Sequence, residues 1–250
     1  MCLRLILIDI GNTRFKWWYQ ADQTIVYQGA LDSKDPDLGS KLKDAWSVLE
    51  VPEKVVVSNV AGEPAQKVVI AACAGWSLQP RFIQSAPEAF GLRNGYVEAH
   101  RLGVDRWLGL IGADAEYRRP FCVVDLGSAI TADFVDFEGA HKGGLIVPGL
   151  QALSQALPFE VEGEESKIIQ SHDVPWADRT HEALALGRFH LVHGFIEGIL
   201  AAAEKEIKAD LELILTGGDA PYVFPSLSRS AFLDLDLIRK GLERVALHGD

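Results

Sequence analysis

One stretch limits what this chain can fold into more than any other. Leu5-Ile6-Leu7-Ile8-Asp9-Ile10-Gly11-Asn12-Thr13-Arg14-Phe15-Lys16-Trp17-Trp18 begins as a buried apolar strand, stops at an aspartate, turns on a glycine and resumes as a second strand. A carboxylate is costly to bury in mid-sheet and glycine weakens the ladder, so both belong at a hairpin tip. There Gly11 lets backbone N–H groups approach an anion, while Asn12 and Thr13 add donors. Asp9 can hold Mg²⁺, directly or through water, and Lys16 can reach phosphate oxygens as a point charge. An ordinary hairpin that turns through Gly-Asn-Thr fits the same residues, and this segment alone leaves the two readings even.

The second half of the chain decides between them. Cys122-Val123-Val124-Asp125-Leu126-Gly127-Ser128-Ala129-Ile130-Thr131-Ala132-Asp133-Phe134-Val135-Asp136 repeats the grammar: apolar strand, Asp-x-Gly, hydroxyl residue, new strand. Two such hairpins half a chain apart imply two similar lobes facing one another across a nucleotide.

At 250 residues, 48% of them apolar, the chain suits one large domain or two small lobes, each with its own core. A formal charge of -11 argues against a nucleic-acid partner, which needs a basic face. Cys2, Cys73 and Cys122 form no C-x-x-C pair, as expected in a reducing compartment. The apolar run Leu3–Ile10 carries Arg4 and stops at Asp9, too short for a signal or a membrane span. The expected location is the cytosol.

In order, the patterns predict a third strand over Gln23–Leu31 and a helix carrying Leu42, Ala45, Val48 and Leu49. A buried parallel strand follows at Lys54–Val60, then a helix over Glu63–Ala74 and a short strand over Arg81–Gln84. Ser85–Leu102 reads as a long functional loop delivering Leu102-Gly103-Val104-Asp105-Arg106-Trp107 into a helix that runs to about Arg118. Asp105 there is either a carboxylate suited to a helix dipole or a general base, with Arg106 forked onto a substrate carboxylate. Strands at Cys122–Asp125, Thr131–Phe137 and His141–Ile146 open the second lobe, and a helix covers Leu150–Leu157. The acidic Pro158–Arg179 segment reads as exposed and partly mobile. Thr180 can cap a long helix to about Lys208, whose Gly187, Gly194 and Gly198 would permit close helix packing. A strand at Leu211–Leu215 ends in Thr216-Gly217-Gly218-Asp219-Ala220, and a strand at Phe232–Asp236 with a helix to about His248 completes the lobe.

His190 and His193 share a helix face, a spacing zinc can use, but no third ligand stands near them in sequence. Trp17, Trp18, Trp76, Trp107 and Trp176 read as core or rim residues in so acidic a chain.

The ordered set Asp9-x-Gly-Asn-Thr-Arg-x-Lys16, Leu92-Arg-Asn-Gly-Tyr96, Leu102-Gly-Val-Asp-Arg-Trp107, Asp125-Leu-Gly-Ser-Ala-Ile-Thr131, Gly143-Gly-Leu-Ile-Val-Pro-Gly149 and Leu215-Thr-Gly-Gly-Asp-Ala220 resembles type III pantothenate kinase. That family lies within the actin, Hsp70 and sugar-kinase superfamily, and the resemblance spans nearly the whole chain. It implies an α/β fold of two RNase H-like lobes, 1–119 and 120–250, and phosphorylation of pantothenate by ATP, the first step of coenzyme A synthesis. It implies ATP contacts from Asp9, Ile10, Gly11, Asn12, Thr13, Arg14, Phe15, Lys16 and Ser128. Pantothenate contacts would come from Tyr96, Gly103, Val104, Asp105, Arg106 and Thr180, with Asp105 as base. Asp125 would bind a monovalent cation, K⁺ or NH₄⁺, beside the Mg²⁺ requirement, in a homodimer without nucleic-acid or membrane partners.

Three positions depart from the family pattern: Ser128 replaces a threonine, Ala99 a proline, and the segment after Leu150 is short, which affects the alignment of Thr180. Two rival functions fit the same fold. A non-catalytic regulatory relative could lose the base, whereas the Asp105-Arg106 pair is intact here. A nucleotide or polyphosphate hydrolase would activate water in place of an alcohol.

Overall fold

Both Asp-x-Gly stretches fold as tips of antiparallel hairpins. The computed structural model describes residues 3–157 and 176–249. Its first half contains β1 (Arg4–Ile10), β2 (Arg14–Ala21), β3 (Thr24–Asp32), α1 (Leu38–Trp46), β4 (Lys54–Asn59), α2 (Glu63–Cys73), β5 (Arg81–Phe82), the two-residue strands β6 (Glu88–Ala89) and β7 (Leu92–Arg93), and α3 (Val104–Glu116). The second half contains β8 (Phe121–Leu126), β9 (Ala129–Val135), β10 (His141–Pro148), α4 (Leu150–Gln155), α5 (Thr180–Ile207), β11 (Glu212–Thr216), α6 (Ala220–Val223), β12 (Ala231–Leu233) and α7 (Leu237–His248).

Met1–Phe90, Tyr96–Glu116 and Asp236–Asp250 form one compact unit. Its sheet has the order β3-β2-β1-β4-β5, antiparallel through the first three strands and parallel from β1 to β5. The unbroken apolar run of β1 dictates its central place, because only a strand covered on both faces can bury every side chain. On one face Phe15, Trp17 and Tyr19 from β2 meet Leu38, Leu42 and Trp46 of α1 and Val69 and Cys73 of α2. Trp46 stacks on Trp76 at 5.5 Å, so these indoles build the core.

Gly91–Gly95 and Tyr117–Leu235 form the second unit. Its sheet, β10-β9-β8-β11-β12, repeats the first strand for strand, again antiparallel and then parallel. The core joins Val124 and Leu126 of β8 to Val192, Ile196 and Leu200 of α5 and to Leu213 and Leu215 of β11.

Several expectations are corrected. The last helix, expected in the second lobe after a cut at residue 119, belongs to the first unit, so that unit takes residues from both ends of the chain. It packs on α3 through two glycines. A Cβ at Gly112 would lie 2.1 Å from the Leu237 carbonyl oxygen, and one at Gly241 would lie 2.1 Å from that of Leu108. By contrast, among the described residues a Cβ at Gly187, Gly194 or Gly198 would meet nothing within 4 Å, so these three glycines make no close packing there. α1 ends before Val48, which is exposed. Thr180 is the first residue of α5, and the cap position is Arg179, with no side-chain capping bond. The expected mobile segment falls largely on residues 158–175, outside the described residues, and the Trp176 side chain beyond it is exposed.

Candidate active site

The first hairpin carries a buried acid. Asp9 sits one residue before the end of β1, opposite Lys16 on β2 and Ser58 on β4. Only 7% of Asp9 is exposed, and its Oδ1 has no hydrogen-bond partner. Burial pushes its carboxyl up to about 6; Lys16 opposes the rise, Asp105 adds to it, and the Ser58 hydroxyl draws it slightly back. A buried carboxylate oxygen without a partner among the described residues fits an oxygen-seeking divalent cation. Mg²⁺ therefore suits this donor set.

The tip closes on Gly11 itself. Its N–H donates to Arg14 O at 2.9 Å and closes the turn, so it is not presented to a ligand. Ser33, just beyond β3, holds the tip from behind: its hydroxyl donates to Gly11 O at 2.7 Å and its N–H to Thr13 O at 3.0 Å. Ile10 and Phe15 have fully buried side chains, leaving only their backbone to a ligand, whereas Asn12, Thr13 and Arg14 are exposed.

The start of α3 in the same unit holds the next group. Trp107 N–H donates to Gly103 O at 3.0 Å, which makes Gly103 the residue that opens the helix. A Cβ on Gly103 would fall 2.6 Å from Asp105 Oδ1, so the Asp105 carboxylate folds back across a position that only glycine leaves clear. Arg106 Nη1 donates to the Tyr96 hydroxyl at 2.8 Å, and its guanidinium carbon lies 5.5 Å from the centre of that ring. Tyr96 and Arg106, read separately in the sequence, are one assembly. Beside them opens a cavity of about 540 Å³ lined in part by Asn59, Ser85, Arg101, Gly103 and Val104.

The second unit carries Asp125 and Ser128. Asp125 is half-buried near the end of β8, opposite Thr131 on β9 and Thr216 on β11; Ser128 is exposed at the tip. Two glycine loops close on this hairpin. Gly217, at φ +92°, would place a Cβ 2.4 Å from Asp125 Oδ1. A Cβ on Gly149 would lie 2.4 Å from Gly127 O and 2.5 Å from Ser128 O. These glycines leave an oxygen-lined cradle that a side chain would fill, and its donors suit a monovalent cation.

Sequence reasoning placed Ser58 at a strand end where α/β sheets put ligands, but missed Ser33 and a buried pair on β9 and β10, where His141 Nε2 lies 2.9 Å from Asp133 Oδ1. The signal for that pair was an aspartate inside a largely apolar strand and a histidine at the start of the next. His193, set aside as a metal ligand, contacts the Ser226 carbonyl, and no cluster of three or more His, Cys, Asp or Glu occurs among the described residues.

Comparison with known proteins bears on the family and the fold. The family model described as type III pantothenate kinase matches residues 5–202. The type III pantothenate kinase of Nitrosococcus oceani is 33% identical over 249 residues, covering 97% of this chain and 93% of its own. That of Herminiimonas arsenicoxydans is 34% identical over 255 residues, covering 98% of each. Among solved structures, one described as a Baf family transcriptional activator from Campylobacter jejuni superposes with a TM-score of 0.61 at 22% identity over 97% of both chains. One described as a 2-dehydro-3-deoxygalactonokinase from Sinorhizobium meliloti reaches 0.63 at 13% identity, covering 97% of this chain and 95% of its own. At such identities these two speak for the fold alone, the two-lobed actin-like and sugar-kinase plan. Sequence match and repeated hairpins together show that the chain belongs to the type III pantothenate kinase family.

Proposed function

We propose that the chain transfers the γ-phosphoryl group of ATP to the primary hydroxyl of pantothenate, giving 4′-phosphopantothenate for coenzyme A synthesis. The observation that carries this reading is the buried Asp9 carboxylate opposite Lys16, in the same unit as Asp105 and the Arg106–Tyr96 pair. The pantothenate oxygen bonds to the γ-phosphorus as the bond from that phosphorus to the β–γ bridging oxygen breaks. ADP leaves with the bridging oxygen, and the hydroxyl proton passes to the Asp105 carboxylate. Arg106, held by Tyr96, forks onto the acceptor's carboxylate. Lys16 and the exposed Asn12, Thr13 and Arg14 receive the phosphates, with Ser128 adding a hydroxyl donor. Asp9 holds Mg²⁺, which when bound offsets phosphate charge, and Asp125 holds K⁺ or NH₄⁺. Thr180 joins the acceptor site in a cytosolic homodimer.

The test is a coupled assay of ADP release with and without pantothenate and K⁺, with product analysis. ADP release that requires pantothenate and yields 4′-phosphopantothenate is expected. Release independent of pantothenate would indicate a hydrolase, and no turnover with either would overturn the reading.

A further inference from the structure

Ser85 lies just past β5 and is 7% exposed, with no place in the chemistry described above. Its hydroxyl donates to the Leu102 carbonyl at 2.8 Å, bridging 17 residues of sequence. Leu102 is buried and directly precedes Gly103. The bond therefore closes the acceptor loop at its base, one peptide before the residue over which the Asp105 carboxylate folds. β5 is itself fixed: it pairs with β4, and Ile83 N–H donates to Val57 O at 2.9 Å. The sheet thus has a rigid path to Gly103, through Ser85.

We infer that Ser85 is a positioning residue for phosphoryl transfer: its hydroxyl fixes the Leu102–Gly103 backbone from which Asp105 is aimed at the acceptor. This rests on the kinase reading. Gly103 O accepts from the Trp107 N–H at 3.0 Å and Asp105 Oδ1 accepts from the Arg106 N–H at 2.8 Å, so the first turn that holds the carboxylate hangs on the Leu102–Gly103 peptide and shifts with it. Displacement of a reacting group by about 1 Å can cost on the order of 10²-fold in rate. Ser85 also lines the cavity beside Leu102, Gly103 and Val104, so loss of its tether loosens that wall at the start of α3. The hairpin proposed to receive ATP belongs to other elements, β1 and β2.

A purely structural hydroxyl would lower stability and damage the use of both substrates alike. A positioning hydroxyl separates them. Ser85→Ala and Ser85→Thr should be compared with wild type in thermal unfolding and in steady-state kinetics with each substrate varied in turn. For Ser85→Ala, kcat/KM for pantothenate is expected to fall about tenfold to 10²-fold. KM for ATP should stay within about twofold, and the melting temperature should drop by no more than about 2–4 °C. Ser85→Thr keeps the donor and has the cavity for its methyl group, so it should recover most of the loss. Wild-type kinetics in Ser85→Ala would overturn the proposal, as would equal losses toward both substrates or a threonine variant no better than alanine. Failure of wild type to form 4′-phosphopantothenate would instead remove the kinase reading on which this role depends.

Discussion

Asp9 illustrates how one buried atom sets the terms of a site. Its carboxyl stands at about 6 against an ordinary 3.8, chiefly because burial disfavours the charge. An acid raised on folding holds its proton more tightly in the folded state. That contribution to stability is full below about pH 4 and is lost as pH climbs through 6, about 3 kcal/mol in all. Asp9→Asn carries no charge at any pH, so without nucleotide or divalent cation it should melt higher than wild type at pH 7.5 and near wild type at pH 4.5. ATP use should be lost. Calorimetry at the two pH values checks this, and a less stable variant at pH 7.5 would refute the buried-charge account. Gly103 offers a complementary case. A Cβ there meets the end of a flexible side chain, so Gly103→Ala should fold but swing the Asp105 carboxylate aside. The expected loss in kcat is about 10² to 10⁴, as for removal of the base, with ATP binding retained. Turnover near wild type would mean that Asp105 need not lie across Gly103. At this scale Asp9 and Asp105 stood out in sequence as candidates because carboxylates beside glycines at strand and helix ends are anomalies, whereas the roles of Lys16 and Arg106 rested on the family resemblance. The tethers made by Ser33 and Ser85 were not legible there, since a serine gives no sign of which distant backbone it will hold.

Hairpins and central strands were legible as elements because an apolar run interrupted by Asp-x-Gly has few foldings. The destination of α7 was not. Its amphipathic pattern shows that one face is buried, but not which sheet or helix covers it. That information lies in Gly112 and Gly241, four residues after Leu108 and Leu237, where backbone meets backbone. The glycines of α5 look similar in sequence and behave oppositely, which a pair of substitutions can expose. Gly241→Ala gains helix propensity of about 1 kcal/mol but drives a methyl group into the Leu108 carbonyl, an overpacking cost of about 1–3 kcal/mol. It should therefore be destabilising and, through α3, should also reduce turnover. Gly187→Ala has open space and should stabilise by about 0.5–1 kcal/mol. Urea unfolding of both variants decides the matter: shifts of the same sign would remove the packing distinction between these helices.

Across the whole molecule the same five-strand order occurs twice, and the differences between the copies suggest a division of labour. In the first hairpin the acid is buried and the register sets it opposite Lys16; in the second the acid is half-buried and the register sets it opposite Thr131. One copy thus carries a built-in cation across the strands, whereas the other surrounds its carboxylate with hydroxyl and carbonyl oxygens and two close glycine loops. Sequence exposed the duplication, because both hairpins share a grammar, but not these loops, because glycines at 149 and 217 converge only after the sheet has formed. If Asp125 is the monovalent-cation site, replacing Na⁺ by K⁺ should raise kcat in wild type, and Asp125→Ala should flatten that response. Gly217→Ala supplies an independent test. Its residue sits at φ +92°, where a side chain is strained, and the added methyl group would enter the cradle beside the carboxylate while leaving the charge in place. This variant should need more K⁺ for half-maximal activation, yet still respond to it, so the two substitutions separate loss of the ligand from narrowing of its cradle. Titration of K⁺ at constant ionic strength, with both substrates saturating, measures each effect. Wild-type activation curves in both variants would move the cation away from this hairpin and leave Asp125 as a structural acid.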